Sequence, residues 1–286
     1  MLNPSKILID HTANKLAKDY EEQYGKSEGA DRDYAGIIRW AARMALENIA
    51  TTDALYHNVE HTIMVTQVGT EILIGKHLLE GGVTQDDWLH VTIAMLCHDI
   101  GFVRGVCQAD TGSSYTSGVG KQINLPTGAT DAALNPYHVD RGKMFVRERF
   151  SGHAFINAER LSNLIERTRF PAEKEEAKAN DIYADIVRSA DLIGQLADPR
   201  YLHKLPLLYY EFEEIGVNAQ LGYNNAGDLR EKYPTFFWNV AHPYIQDSMK
   251  YLNRTQEGRQ WVASLYRHVF HMEHREVLDD GIIEQT

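Results

Sequence analysis

Residues 88–99 read WLHVTIAMLCHD, a segment that is apolar on almost every side and ends in a histidine and an aspartate. A helix that is hydrophobic all round is normally buried in the core, so this segment predicts a helix at the centre of the fold. The preceding residues 84–87, TQDD, are typical of a capping box that begins such a helix. A carboxylate at the end of so apolar a helix must be paired, hydrogen-bonded or bound to metal. His98 and Asp99 are therefore the first candidates for a functional site.

The rest of the chain also follows a helical period. The predicted helices span residues 5–24, 33–50, 58–80, 88–99, 138–151, 153–168, 172–198, 204–215, 235–253 and 256–275. No segment alternates polar and apolar residues as a strand would, so the predicted fold class is all-α. We expect residues 1–50 to be an N-terminal helical extension packed on the same domain as residues 51–286. Residues 101–136 are rich in glycine, serine and threonine and predict a loop insert, either a functional lid or a disordered segment.

The composition is that of an ordinary globular protein. The chain has 286 residues, of which 43% are hydrophobic and 24% are charged. Its formal net charge of −11 argues against binding to a nucleic acid polymer, whose phosphates attract basic surfaces. The two cysteines fit a reducing compartment, the first residues lack the pattern of a signal peptide, and no run is apolar enough to span a membrane. We therefore expect a cytoplasmic protein that acts without a membrane, and the sequence leaves a homo-oligomer open.

Two histidines stand at the beginning of another predicted helix, in residues 56–65, YHNVEHTIMV. His57 and His61 are four residues apart, so on a helix they share one face, and the apolar residues that follow indicate that this face points inward. One inward histidine is most often a core residue whose ring nitrogens bond to neighbouring groups. Two on one face also fit metal binding or proton donation near neutral pH. The pair alone does not decide between these interpretations.

A further predicted helix places another carboxylate in an apolar setting. Asp191 lies in residues 186–197, IVRSADLIGQLA. A lone buried aspartate is more often part of a cap or an ion pair than a ligand. Together, however, three helices offer two imidazoles and two carboxylates, from His61, His98, Asp99 and Asp191. This mixed set suits one or two divalent metal ions such as Mn, Fe, Mg, Ni or Zn, and it leaves coordination positions free for water and substrate, as in catalytic metal sites.

The order of these residues, H…HD…D, resembles the HD superfamily of metal-dependent phosphohydrolases. Longer segments are similar to the catalytic domains of class I cyclic nucleotide phosphodiesterases. These segments are residues 56–67, YHNVEHTIMVTQ; 135–145, NPYHVDRGKMF; 189–216, SADLIGQLADPRYLHKLPLLYYEFEEIG; and 240–265, VAHPYIQDSMKYLNRTQEGRQWVASL. The resemblance implies an HD-domain helical bundle. It also implies a metal-dependent phosphoric ester hydrolase, a phosphohydrolase or phosphodiesterase that acts on a small phosphorylated metabolite or nucleotide.

The resemblance also implies roles for individual residues. The first metal would be bound by His61, His98, Asp99 and Asp191. Asp99 would have a catalytic role as well, by bridging to a second metal, and His57 would be the general acid that protonates the leaving oxygen. His138 would lie near the second metal or the substrate phosphate, and Phe236 would occupy the position of the aromatic residue that clamps the base. Arg141, on the helix after the insert, is a candidate for contact with a substrate phosphate because of its charge.

The chain departs from the phosphodiesterases directly after the HD pair. The family continues with an aspartate and then His-Pro-Gly, whereas residues 100–102 here are IGF. Two other functions stay open. One is a catalytically silent regulator that binds metal or a nucleotide, and the other is an HD-type di-iron oxygenase. The complete H…HD…D set together with His57 favours the hydrolase, because a silent module has no need of a proton donor.

Overall fold

The computed structural model describes residues 3–26, 33–171 and 181–274. This part of the chain is helical almost throughout, which confirms the predicted all-α fold class. The helices are α1 (Pro4–Tyr24), α2 (Tyr34–Ile49), α3 (Val59–Glu80), α4 (Gln85–Cys97), α5 (His138–Phe150), α6 (Ala158–Glu166), α7 (Ile182–Leu196), α8 (Tyr201–Glu214), α9 (Val217–Leu221), α10 (Ala226–Phe236), α11 (His242–Leu252) and α12 (Gln256–Glu273). None of the helices in the described ranges is both long and apolar enough to cross a membrane.

Helix α4 is the central element, as its sequence predicts. Every residue from Trp88 to Cys97 is buried, and the helix packs against α2, α3, α6 and α7. The predicted capping box is present, because the Thr84 hydroxyl accepts the backbone N–H of Asp87 while the Asp87 carboxylate accepts the backbone N–H of Thr84. The capped start and the buried body that follows it fix the direction of α4, and this direction places His98 and Asp99 in the interior.

Helices α3 and α7 lie in close contact along their lengths. Gly194 makes this approach possible, because a Cβ atom at that position would lie 2.7 Å from the Cα atom of Val65. The first two helices belong to the same hydrophobic core, to which α1 contributes Leu16 and Tyr20 and α2 contributes Leu46. The core therefore holds α3, α4 and α7 in mutual contact, while α2 packs on α4 and α1 packs on α2.

The insert, residues 101–136, packs on the first turns of α5. Two close backbone approaches hold it there: a Cβ atom on Gly101 would lie 1.9 Å from the His138 carbonyl oxygen, and one on Gly118, where φ is +80°, would lie 2.4 Å from the Asp140 carbonyl carbon. The insert contains 3₁₀ turns at Ile100–Phe102 and Asp131–Tyr137. It also contains a two-stranded antiparallel hairpin of β1 (Tyr115–Thr116) and β2 (Gln122–Ile123), in which Tyr115 pairs with Ile123. Strands of two residues are too short to produce an alternating sequence.

The predicted helix over residues 235–253 is two helices in the structure. α10 begins earlier, at Ala226, and a π-helical turn, Phe237–Ala241, joins it to α11. Pro243 in the first turn of α11 lacks the backbone N–H that would continue the regular α-helical ladder. The short helix α9 was not predicted.

Two other helices begin later than predicted. The helix predicted from residue 153 begins at Ala158, because the Asn157 side chain caps it by accepting the backbone N–H of Arg160. The helix predicted over residues 172–198 begins at Ile182 in the described chain, and residues 172–180 lie outside the described residues.

Candidate metal centre

Three helices bring the predicted ligands to one place. His61 lies in the first turn of α3, where the Asn58 side chain accepts two backbone N–H groups and fixes the beginning of the helix. His98 caps the end of α4, and Asp99 follows it at the start of a 3₁₀ turn. Asp191 lies in the body of α7, which packs on α3 through the Gly194 contact. Rigid, buried elements therefore position all four side chains.

The side-chain atoms of these four residues converge. The Nε2 atom of His98 is 3.4 Å from Nε2 of His61 and 3.1 Å from Oδ2 of Asp99. The Nε2 atom of His61 is 3.3 Å from Oδ2 of Asp99. Asp191 presents Oδ1 at 3.3 Å from His61 Nε2 and at 3.5 Å from His98 Nε2. His61, His98 and Asp99 are buried, and their ligating atoms lie within 4.8 Å of one another, so the group could hold a metal ion.

Lone pairs face one another at the centre of this cluster. The Nδ1–H of His98 donates to the carbonyl oxygen of Met95 at 2.7 Å. A carbonyl can only accept, so the proton of the neutral ring is on Nδ1, and Nε2 offers its lone pair to the cluster. The nearby Oδ2 of Asp99 is buried and receives no aligned hydrogen bond from any described residue, although two imidazole nitrogens are close to it. An unsatisfied buried carboxylate oxygen beside an imidazole lone pair requires either a proton or a cation between them.

The electrostatics lead to the same requirement. Burial disfavours the imidazolium form of His98, but the carboxylates of Asp99 and Asp191 outweigh this effect and raise the pKa of His98 well above its ordinary value. Burial also disfavours the ionised form of both carboxylates, yet the charge of His98 and the nearby imidazole of His61 hold the pKa of Asp99 well below its usual range and lower that of Asp191. Both carboxylates are therefore ionised at neutral pH, and they favour positive charge at the centre.

Two imidazole nitrogens, two carboxylates and an unsatisfied oxygen fit a divalent ion with mixed nitrogen and oxygen ligands. Four protein ligands would fill a tetrahedral coordination shell, but on an octahedral ion they would leave positions for water or substrate, as in catalytic sites. The donor set does not select one ion among Mn, Fe, Mg, Ni and Zn.

His57 lies outside the helix on which the sequence pattern placed it, because Asn58 is the N-cap of α3. It still reaches the cluster, with its ring centroid 5.6 Å from that of His61. Its Nδ1 is 2.5 Å from Oε2 of Glu211, and Oε1 of Glu211 accepts the backbone N–H groups of Tyr56 and His57 at 2.6 and 3.3 Å. Burial alone would lower the pKa of His57, but Glu211 opposes it and raises that pKa to about 9. His57 is therefore a half-buried imidazole that is held in its protonated form by a buried carboxylate.

Sequence reasoning missed Glu211. The residue lies on α8, 154 positions from His57, in the run LLYYEFEE, where its carboxylate looks like one of several surface charges. The signal that could have found it is helical spacing, because Glu211 follows Leu205 and Leu208 at intervals of three residues and all three lie on the buried face of α8.

His138 lies at the edge of the cluster, at the beginning of α5. Its Nδ1–H donates to the carbonyl oxygen of Asn135 at 2.5 Å, and its Nε2 is 3.8 Å from Oδ1 of Asp99. Burial lowers the pKa of His138, so the ring is neutral at pH 7 and its Nε2 lone pair points to the site. This position agrees with the predicted place of His138 beside a second metal or the substrate, and that role stays a prediction.

The predicted substrate-binding role of Arg141 stays a prediction, but the contacts of its side chain argue against it. Its side chain is fully buried, and its guanidinium donates to both carboxylate oxygens of Asp110 and to the carbonyl oxygens of Gly101, Val103 and Thr116. These contacts use the donors of the guanidinium, so Arg141 fastens the insert to α5. A charge pattern could not reveal this role, because Asp110 is 31 residues away in the chain.

Phe236, the predicted base-clamping residue, ends α10 and is half-buried. Its ring lies edge-on to that of Phe170, with centroids 6.2 Å apart. Its role in substrate binding stays a prediction.

Comparison with known proteins identifies a family for the chain. A family model described as Npun_R2479-like matches residues 2–275. No curated protein and no solved structure matches the chain. The family description names no activity, so the chemistry of the chain must be inferred from the site.

Proposed function

The chain belongs to the Npun_R2479-like family, and we propose that it is a metal-dependent hydrolase of phosphoric esters. Its substrate would be a small phosphorylated metabolite or a nucleotide. One observation carries the proposal: a four-residue His/Asp cluster with an unsatisfied buried oxygen lies beside a histidine that a buried glutamate keeps protonated. The HD-like order of these residues in the sequence supports a phosphoester as the substrate.

Each residue of the cluster has a defined part in this function. A divalent ion would be held by His61, His98, Asp99 and Asp191. When bound, such an ion supplies Lewis acidity and lowers the pKa of water from 15.7 toward about 7. The Nδ1–H of His98 keeps its bond to Met95, which fixes the ring so that Nε2 faces the site.

His57 would supply the proton for the leaving group. As the water oxygen bonds to phosphorus and releases one proton to solvent, the bond between phosphorus and the leaving oxygen breaks, and that oxygen takes a proton from Nε2 of His57. Glu211 accepts a hydrogen bond from the Nδ1–H of His57 throughout the step. General-acid catalysis of this kind typically accelerates a reaction by about 10²–10⁴-fold. The imidazole is then neutral and recovers its proton from solvent.

The same geometry favours an enzyme over a silent metal-binding regulator. A buried His–Glu pair is costly to desolvate, and ligand binding alone does not require a protonated imidazole next to the metal ligands. A proton donor whose ring centroid lies 5.6 Å from that of His61 has a direct use in ester hydrolysis, because it can protonate the leaving oxygen.

The first test is a panel of phosphoesters with the purified full chain. Activity is measured with Mn, Mg, Fe, Ni or Zn added singly, together with elemental analysis of the protein. We expect hydrolysis of at least one ester with at least one of these ions. A protein that binds metal but hydrolyses no ester under any of these conditions would contradict the proposal and favour the regulator.

Two variants separate the roles of His57 and His61. His61→Ala removes a ligand, so it should lower metal content and activity together. His57→Ala should keep the wild-type metal content and slow hydrolysis of alkyl or nucleoside esters by about 10²–10⁴-fold. An aryl ester with an acidic phenol needs little protonation, so its hydrolysis should be much less affected. His203→Ala, on the exposed side of α8, is the control.

The ratio of the aryl rate to the alkyl rate is the deciding measurement. If His57→Ala lowers both rates equally at constant metal content, His57 is a substrate-binding or packing residue. If it loses metal as His61→Ala does, both histidines are ligands.

A further inference from the structure

Phe102 lies between two histidines of the site. Its ring is stacked on the imidazole of His57, with centroids 4.5 Å apart and an interplanar angle of 12°, and on the imidazole of His138, at 4.6 Å and 25°. The side chain is 1% exposed. The residue ends the IGF segment in which the sequence departs from the phosphodiesterases, and sequence reasoning gave it no role.

We propose that Phe102 is a positioning residue that sets the ring planes of His57 and His138, an inference that rests on the proposed hydrolase function. Each imidazole has one fixed nitrogen: Nδ1 of His57 is bonded to Glu211, and Nδ1 of His138 is bonded to the Asn135 carbonyl. A single hydrogen bond fixes the position of one ring atom but leaves the tilt of the plane free. A flat apolar surface against the face of each ring removes this freedom and also excludes water from the space between the two imidazoles.

Hydrogen bonds to the backbone on both sides of Phe102 hold its position. Arg141 donates to the carbonyl oxygen of Gly101 at 2.6 Å and to that of Val103 at 2.8 Å, which are the residues before and after Phe102. The backbone N–H of Phe102 donates to the carbonyl oxygen of Asp99 at 3.0 Å. The 3₁₀ turn is therefore fixed relative to a metal ligand, and the phenyl ring transfers this fixed position to His57.

A positioning role also explains why the segment begins with isoleucine and glycine. Ile100 is fully buried, and Gly101 has no room for a side chain beside the His138 carbonyl. These two residues allow the turn to approach α5 closely enough for Phe102 to reach both imidazoles.

The test uses Phe102→Leu in the full chain, with Phe150→Leu as a matched control. Phe150 is also buried, but its ring contact is with Trp40, which stacks on His153 and not on His57 or His138. Histidine ring protons are recorded by NMR and assigned by their absence in His57→Ala and His138→Ala. Protons over the face of a phenyl ring are shifted upfield, so Phe102→Leu should move the signals of His57 and His138 downfield, and Phe150→Leu should leave them unchanged.

The kinetic measurement is the ratio of the aryl-ester rate to the alkyl-ester rate. Misalignment of the general acid should lower the rate of hydrolysis about 10- to 100-fold for alkyl or nucleoside esters and less than about threefold for an aryl ester, at constant metal content. In the His57→Ala background the same substitution should have no further effect on the ratio, because Phe102 acts through His57. If Phe102→Leu does not fold, as judged by circular dichroism, Phe102→Met replaces it.

Several results would overturn the proposal. Unchanged histidine signals and an unchanged ratio in a folded Phe102 variant would make Phe102 a simple packing residue. Loss of metal in that variant, with Phe150→Leu intact, would mean that Phe102 supports the ligands rather than His57. If wild type hydrolyses no ester, the proposed function fails, whereas the NMR shifts still decide whether Phe102 positions the two rings.

Discussion

Replacing Arg141 by methionine is expected to lower the free energy of unfolding by about 3–4 kcal/mol. Methionine keeps much of the side-chain volume but removes a fully buried guanidinium. Breaking a buried ion pair by removing one partner typically costs about 3–5 kcal/mol, because the other charge stays buried without compensation. The carboxylate of Asp110 still accepts the backbone N–H groups of Gly105 and Thr116 after the change, so we expect the lower part of that range.

The control is Arg147→Met on the same helix. Arg147 also binds a carboxylate through two hydrogen bonds, but its side chain is 45% exposed and that of its partner Glu159 is 67% exposed. Exposed pairs contribute about 0.2–1 kcal/mol, so this variant should be close to wild type. The measurement is urea unfolding at pH 7 followed by circular dichroism, with an unchanged m-value required for the comparison.

A double variant tests the physical cause. Combining Arg141→Met with Asp110→Asn neutralises the stranded carboxylate, and it should be more stable than Arg141→Met alone. The reasoning would be refuted if Arg141→Met were no more destabilising than Arg147→Met, or if the double variant recovered no stability. In the first case Arg141 would be free to take the substrate-binding role that the structure argues against.

Two further predictions concern metal binding and pH. Asp191→Ala should abolish binding of a divalent transition metal, whereas Asp185→Ala, on the same helix but 53% exposed, should keep it; equal metal content of the two variants in elemental analysis would contradict the assignment. His90 is held neutral because its Nδ1–H donates to the Asp86 carbonyl and its Nε2 accepts the backbone N–H of Asn157, and burial lowers its pKa below 6.5. A depressed pKa contributes stability above pH 6.5 that is lost as the pH falls toward the folded-state value. Between pH 7 and 5 the free energy of unfolding should therefore fall less steeply for His90→Gln than for wild type. The two slopes should differ by up to about 1.36 kcal/mol per pH unit.

The sequence could predict those features that depend on local pattern. The apolar run over residues 88–99 predicts a buried helix because no exposed helix can carry so little polar surface. The same reasoning identifies His98, Asp99 and Asp191, because a charge in an apolar helix must have a partner. The capping box at the start of α4 was predicted from Thr84 and the residues after it, whereas the cap of α6 at Asn157 was not recognised.

The features that the sequence could not predict depend on contacts between distant segments. Glu211 and Phe102 reach His57 from α8 and from the insert, and no spacing rule connects them. Arg141 was assigned to a substrate because its charge was visible and its burial was not. The role of a cationic side chain can be assigned correctly only when its carboxylate partner, here Asp110, is known to lie beside it.

The proposed metal ligands and the proposed proton donor are held in different ways, and this difference has a consequence for the proposed function. His61 and Asp191 lie on α3 and α7, which the core packs together, so their geometry depends on helix packing. His57 precedes α3 and takes its orientation from Glu211 and Phe102. Sites on regular elements are held more precisely than sites on loops. Substitutions in the insert should therefore change turnover and leaving-group dependence while metal content stays constant, and substitutions between α3 and α7 should change both.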